Sequence, residues 1–222
     1  MAESTWNAVD AYFDTELNGA EAVLDAAVKA SVAAGLPSIQ VSAAQGKLLY
    51  LLALAQSAKR ILEVGTLGGY SALWLARALP ADGRLVTLEV NPRHAEIARR
   101  NFETAEVADR IDLRVGPALE TLAQLRGQGV APFDLVFIDA DKINNLGYVQ
   151  AALGLSRIGT LIMVDNVVRE GAVVSESKDQ AVQGVRNMAA WIGKEPRLAA
   201  TVIQTVGSKG YDGFLLARVQ SI

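Results

Sequence analysis

Residues 60–71 read Arg-Ile-Leu-Glu-Val-Gly-Thr-Leu-Gly-Gly-Tyr-Ser: a short apolar strand, a glycine-rich turn and the start of a helix. Arg60 to Val64 forms the expected strand and Tyr70 to Leu79 the expected helix. The same alternation repeats downstream. Strands are predicted over 84–89, 110–115, 133–138 and 158–164, with helices over 93–105, 118–125, 144–155 and 179–192. The strands are continuous apolar runs, as expected for strands covered on both faces. Strand–helix alternation of this kind predicts an α/β fold, a mostly parallel sheet with helices on both sides. Two late strands, 199–206 and 213–219, close the chain. Upstream of residue 60 the pattern is helical. Two helices over 5–34 are broken near Asn18-Gly19, and Gly35-Leu36-Pro37 stops the second. Ser42 then suits a helix N-cap, with Gln45 three residues on as a capping-box partner. With no Pro- or Ser-rich linker and no internal repeat, a single domain over 1–222 is expected, with a helical N-terminal extension over 1–58 and an α/β core over 59–222.

Composition narrows the function. The 222 residues carry a formal net charge of −3, with lysines and arginines dispersed. No basic stripe marks a nucleic-acid footprint. The absence of cysteine excludes disulfides and thiolate metal sites. A single histidine, His94, argues against a His-based zinc site or a Ser-His-Asp triad, and its place near a helix start predicts a surface residue. No apolar run reaches membrane-span length. The N-terminus lacks a basic segment followed by an apolar one, so no signal peptide is expected and a cytoplasmic location is the default.

Ligands of parallel sheets bind beyond the carboxyl ends of the strands, near the switch in strand order. Acidic residues stand at four of those ends: Glu63, Glu89, Asp139 with Asp141, and Asp165. In the glycine loop the pattern is Gly65-x-x-Gly68-Gly69, with Leu67 where a dinucleotide fingerprint needs glycine. Glu63 would repel a pyrophosphate, which favours an adenosyl ligand without phosphate. Glu89, 24 residues past Gly65, suits the two hydroxyls of a ribose. Residues 134–142, Asp-Leu-Val-Phe-Ile-Asp-Ala-Asp-Lys, run from apolar strand into two carboxylates and a lysine. Residues 161–166, Leu-Ile-Met-Val-Asp-Asn, end the next strand in a second polar pair. Together Asp139, Asp165 and Asn166 offer oxygens to a hard cation, and Lys142 stands beside them to take a proton.

Four motifs in this order and spacing resemble one family. They are Leu62 to Ser71, Gly116-Pro117-Ala118, Phe137 to Lys142 with Asp165 to Gly171, and Gly210 to Gly213. Across nearly its whole length the chain resembles the class I S-adenosylmethionine-dependent O-methyltransferases of the catechol and caffeoyl-CoA type, in particular small bacterial members. The resemblance implies a Rossmann-like fold with a seven-stranded sheet, residues 1–58 serving also as a cofactor cover. It implies S-adenosyl-L-methionine contacts at Val41, Ser42, Glu63, Gly65, Thr66, Gly69, Tyr70, Ser71, Glu89, Ala118 and Asp139. Asp139, Asp165 and Asn166 would hold a divalent cation, Mg²⁺ before Mn²⁺ or Ca²⁺. Lys142 would be the catalytic base, with Asp139 beside it. Asp141, Arg169 and Glu170 fall where the family meets its substrate. Here Asn145 stands where many relatives have an aromatic residue, and Arg169-Glu170 where plant relatives carry Trp and Asn. The expected acceptor is a small aromatic diol or phenol, and the expected assembly a homodimer.

Two other classes are compatible with parts of this pattern. A NAD-dependent dehydrogenase would use the acid at position 89 in the same way, but Leu67 and Glu63 disfavour it. A non-catalytic binding module would not need the lysine and the oxygen ligands. Trp6, Trp74 and Trp191 are expected to pack rather than to bind substrate.

Overall fold

Five parallel strands, β1 (Arg60–Val64), β2 (Arg84–Glu89), β3 (Ile111–Val115), β4 (Phe133–Ile138) and β5 (Ser156–Val164), form the body of the sheet. In the computed structural model, which describes residues 3–18 and 21–222, the strand order is β3-β2-β1-β4-β5-β7-β6. The last two strands, β6 (Leu198–Gly207) and β7 (Gly210–Val219), form an antiparallel hairpin. β7 slots in antiparallel beside β5, which leaves β6 as the edge strand. The order reverses between β1 and β4, and that is where a parallel sheet opens a crevice at its carboxyl edge. The mostly parallel seven-stranded α/β sheet is therefore the one expected, and β5 starts two residues earlier than its periodicity suggests.

Side chains of the central strands alternate between two cores. Leu62, Val64, Val136, Ile138, Ile162 and Val164 pack on one face, against α6 (Ala118–Gly127), α7 (Asn145–Leu153) and α8 (Gln180–Ile192). Ile61, Leu85, Leu135, Phe137 and Met163 face the other way, toward α2 (Ala22–Ala33), α3 (Ala43–Ala55), α4 (Tyr70–Ala78) and α5 (Pro92–Thr104). Both faces are apolar because both are covered. Each large side chain on them is worth about 1.5–3 kcal/mol of transfer free energy.

The N-terminal segment opens with α1 (Glu3–Phe13), continued by a π-helical turn to Asn18. Gly19, half of the expected helix break, lies outside the described residues. Asp10 of α1 accepts a hydrogen bond from the Ser208 amide at 2.7 Å, which ties α1 to the tip of the β6–β7 hairpin. Ser42 caps α3 through the Gln45 amide at 3.2 Å. α3 meets α4 closely because Gly46 lies flat on Trp74, where a Cβ would come within 2.2 Å of the indole. Trp74 is buried and Trp191 packs on the first core, so both are packing residues as expected. No helix among the described residues is long and apolar enough to cross a membrane.

Candidate active site

The strand ends converge on a cavity of about 690 Å³, a size typical of small-molecule sites. One end is built by the glycine loop. Gly65 has φ +102, and its amide bonds to the Leu88 carbonyl at 2.9 Å. A Cβ there would lie 2.1 Å from the Asp139 carbonyl oxygen, so only glycine lets β1 and β4 end side by side. Gly69 (φ +84) then turns the chain into α4. Asn101 of α5 is buried, and its amide donates to the Gly68 carbonyl at 2.8 Å. Nothing in the local pattern singles out Asn101, yet it pins the loop.

Glu89 lines the cavity and is anchored from two sides. One carboxylate oxygen accepts from the Leu67 amide at 2.7 Å, the other from the Asn91 amide at 2.9 Å. Each oxygen keeps capacity for a ligand hydroxyl. His94 Nδ1 lies 3.6 Å from Glu89 and also lines the cavity. The expectation of a surface histidine is thus corrected: α5 starts at the cavity rim, so the face that carries His94 turns inward.

Glu63 is fully buried and is not among the residues that line the cavity. Its two oxygens accept hydrogen bonds from Ser71 at 2.6 Å and Thr87 at 2.5 Å, and Thr66 bonds to Thr87 in turn. Burial pushes its carboxyl up to about 7, against the pull of those two hydroxyls. Glu63 therefore braces the glycine loop from beneath through Ser71 and Thr87. The side chain points to the α4 side of the sheet because strand residues alternate, and Glu63 is the one polar member of that row on β1.

The other end of the cavity holds the acids and the lysine. Lys142 is buried, with Nζ 2.7 Å from Asp139 Oδ1. Asp165 is buried beside them at the end of β5. Burial first, then the charge of Asp139, raises its carboxyl to about 6, while the Asn166 amide, Lys142 and the Gln45 side chain pull it back. Gln45 thus turns its amide to Asp165 instead of completing the capping box. Asn166 adopts φ +55, which sets its side chain on the cavity wall. Among the described residues no three His, Cys, Asp or Glu side chains gather into a metal cluster. What the site offers is two carboxylates and an amide, an all-oxygen set that suits a hard divalent cation.

Asp141 is exposed, and its carboxylate accepts from Tyr148 Oη at 2.5 Å and from Asn144 at 2.6 Å. Burial, reinforced by Asp141, pushes the Tyr148 phenol up from its ordinary value. All three line the cavity on the side of Pro117, Ala118 and Leu119. The sequence profile of the O-methyltransferase family matches residues 15–219. The chain belongs to that family. The chain is 55% identical to a catechol O-methyltransferase of Mycobacterium tuberculosis, over 96% of this chain and 95% of that one. An O-methyltransferase from Bacillus cereus, solved in complex with SAH, superposes with a TM-score of 0.97 at 51% identity, covering 99% of this chain and 100% of the other. The O-methyltransferase TomG from Streptomyces achromogenes, solved with SAM, superposes at 0.96 with 49% identity and full coverage of both chains. The protein is accordingly an S-adenosylmethionine-dependent O-methyltransferase, and neither a dehydrogenase nor a bare binding module.

On this O-methyltransferase scaffold, the residues singled out from sequence divide by position. Val41, Gly65, Thr66, Tyr70, Ser71, Glu89, Ala118, Asp139, Asp141, Lys142, Asn166 and Arg169 all line the one cavity. Gly69 and Asp165 are not among its lining residues, and Ser42 faces a smaller cavity of about 200 Å³ under the β6–β7 hairpin. Glu170 is exposed, takes a left-handed step (φ +55) between Arg169 and Gly171, and is not among the residues that line the cavity.

Proposed function

We propose that this enzyme transfers a methyl group from S-adenosyl-L-methionine to one hydroxyl of a small catechol-like acceptor, with a divalent cation held by Asp139, Asp165 and Asn166. One observation carries the reading: a buried lysine amine, 2.7 Å from Asp139 Oδ1, at a strand end beside a second buried acid. Two crowded carboxylates, one of them raised by burial and by its neighbour, are the donor set a divalent cation fits, with Mg²⁺ favoured over Mn²⁺ and Ca²⁺. Bound there, the cation would lower the pKa of an acceptor hydroxyl, fix its direction and favour the neutral amine of Lys142.

The protein's own groups supply the rest. Lys142 Nζ takes the proton from the reacting hydroxyl. The freed oxygen attacks the sulfonium methyl. The new C–O bond forms as the S–CH₃ bond breaks, and the sulfur leaves as a neutral thioether. Glu89 accepts the ribose hydroxyls of the donor, and Ser71 with Val41 flanks its methionine end. Ala118 stands at the adenine end. Holding nucleophile and methyl in line lowers the barrier by converting an encounter into a positioned reaction.

Residues 1–58 act as the cofactor cover on a single domain, and 59–222 as its α/β core. Exposed Val9, Tyr12 and Phe13 on α1, with Val202, Ile203 and Val206 on β6, support a homodimer, checked by light scattering. A cytoplasmic location fits the lack of cysteine. The reaction itself is tested by labelled methyl transfer to catechol with and without a chelator. Turnover insensitive to chelation and to Lys142→Ala would refute it.

A further inference from the structure

Arg169 differs from the other arginines whose contacts define the fold. Arg77 pairs with Glu21, Arg157 with Asp134 and Arg197 with Glu195, while Arg186 is spent on the carbonyls of Ala172, Val173 and Ser175. Arg169 has no ion pair among the described residues, and its Nε is buried without a hydrogen-bond partner. A guanidinium cannot shed its charge in a protein. Arg169 is half-buried, and a buried Nε–H left without a partner is costly, which points to an occupant of the site as its partner.

Its placement is enforced by the backbone. Arg169 and Glu170 both adopt left-handed conformations, φ +56 and +55, followed by Gly171 at +85. For a non-glycine residue each such step costs about 1–2 kcal/mol. Asp212 of β7 holds the strained turn, accepting from the Val168 and Arg169 amides at 3.0 and 2.9 Å. The result is that Arg169 lines the cavity on the same stretch of wall as Asn166, three residues after it, and shares that cavity with Asp139 and Lys142. A planar guanidinium fork matches a carboxylate bidentately.

We propose that the acceptor is a catechol carrying a carboxylate, and that Arg169 is the specificity residue that pairs with it. This rests on the methyl-transfer reading above. The same fork could instead meet the methionyl carboxylate of the donor, and the test separates the two.

The probes are protocatechuate, a catechol bearing one carboxylate, and its uncharged amide. Both are assayed with wild type, Arg169→Gln and Arg169→Lys, and the affinity for S-adenosylhomocysteine is measured by calorimetry. The wild type is expected to favour the acid over the amide by about tenfold or more in kcat/KM, the scale of one charged hydrogen-bond pair. Arg169→Gln should bring the acid-over-amide ratio in kcat/KM close to one, through a rise in KM for the acid, and Arg169→Lys should restore part of that ratio. Product-analogue affinity should stay constant. Equal losses on acid and amide, or a loss of S-adenosylhomocysteine affinity that matches the loss of rate, would overturn the assignment while leaving methyl transfer intact. A wild type that methylates neither probe, with metal present, would overturn both.

Discussion

Replacing Glu63 by Gln should make the protein more stable at alkaline pH and leave it little changed in acid. The carboxyl is fully buried and titrates at about 7 in the folded chain, against 4.5 in the unfolded one. Between those values the folded state binds the extra proton, so stability from this group is complete below about pH 4.5 and falls as pH rises through about 7. Above that the ionised group is carried at a cost of about 3 kcal/mol, since each pH unit separating the two titration points is worth about 1.4 kcal/mol. Glutamine has no charge to bury. Its amide can donate to one of Ser71 and Thr87 and accept from the other, so the hydrogen bonds survive. Urea unfolding of both proteins at about pH 5 and about pH 8 isolates this group, since other titrations cancel between the two. The advantage of Glu63→Gln should grow by up to about 3 kcal/mol across that interval. A difference that stays constant within about 0.5 kcal/mol, the ordinary margin for additive effects, would refute the reasoning.

Lys142→Ala should lower kcat by about 10²–10⁴-fold, the span of a lost general base, while calorimetry shows donor affinity retained. Gly65→Ala sets a Cβ 2.1 Å from the Asp139 carbonyl at a left-handed φ, and should cost both stability and donor binding, read by thermal unfolding with and without S-adenosylhomocysteine. Asp165→Ala should abolish the chelator-sensitive part of turnover and weaken metal binding measured by calorimetry, because only one carboxylate remains in the donor set. Asn101→Ala removes the buried donor to Gly68 and should lower stability by about 1–3 kcal/mol, as measured by urea unfolding, the cost of an unsatisfied buried carbonyl.

What could be read from sequence followed from periodicity. Runs such as Leu135 to Ile138 and Leu161 to Val164 announce buried strands, and the residues after them announce the site, because a parallel sheet puts all its carboxyl ends on one edge. Pairing across long separations left no such mark. Nothing local says that β7 inserts between β5 and β6, or that Gln45 turns to Asp165. Strand alternation buries Glu63 between Ser71 and Thr87, a pairing the local sequence does not announce. His94 misled because a polar residue in a first helical turn is usually solvated. The strained step at Arg169 is invisible in sequence, as only glycine advertises a positive φ.

The close seating of Gly65 on Asp139 has a bearing on biosynthesis. The glycine loop is translated roughly seventy residues before the strand that supports it, and the Asp139 amide must reach the Val64 carbonyl at 2.8 Å to close the crevice. A nascent chain that has not yet released β4 from the ribosome therefore presents a donor loop with no floor. A chain ending before β4 would lack the Asp139 backbone that seats the glycine loop, and is expected to show no S-adenosylmethionine binding by calorimetry.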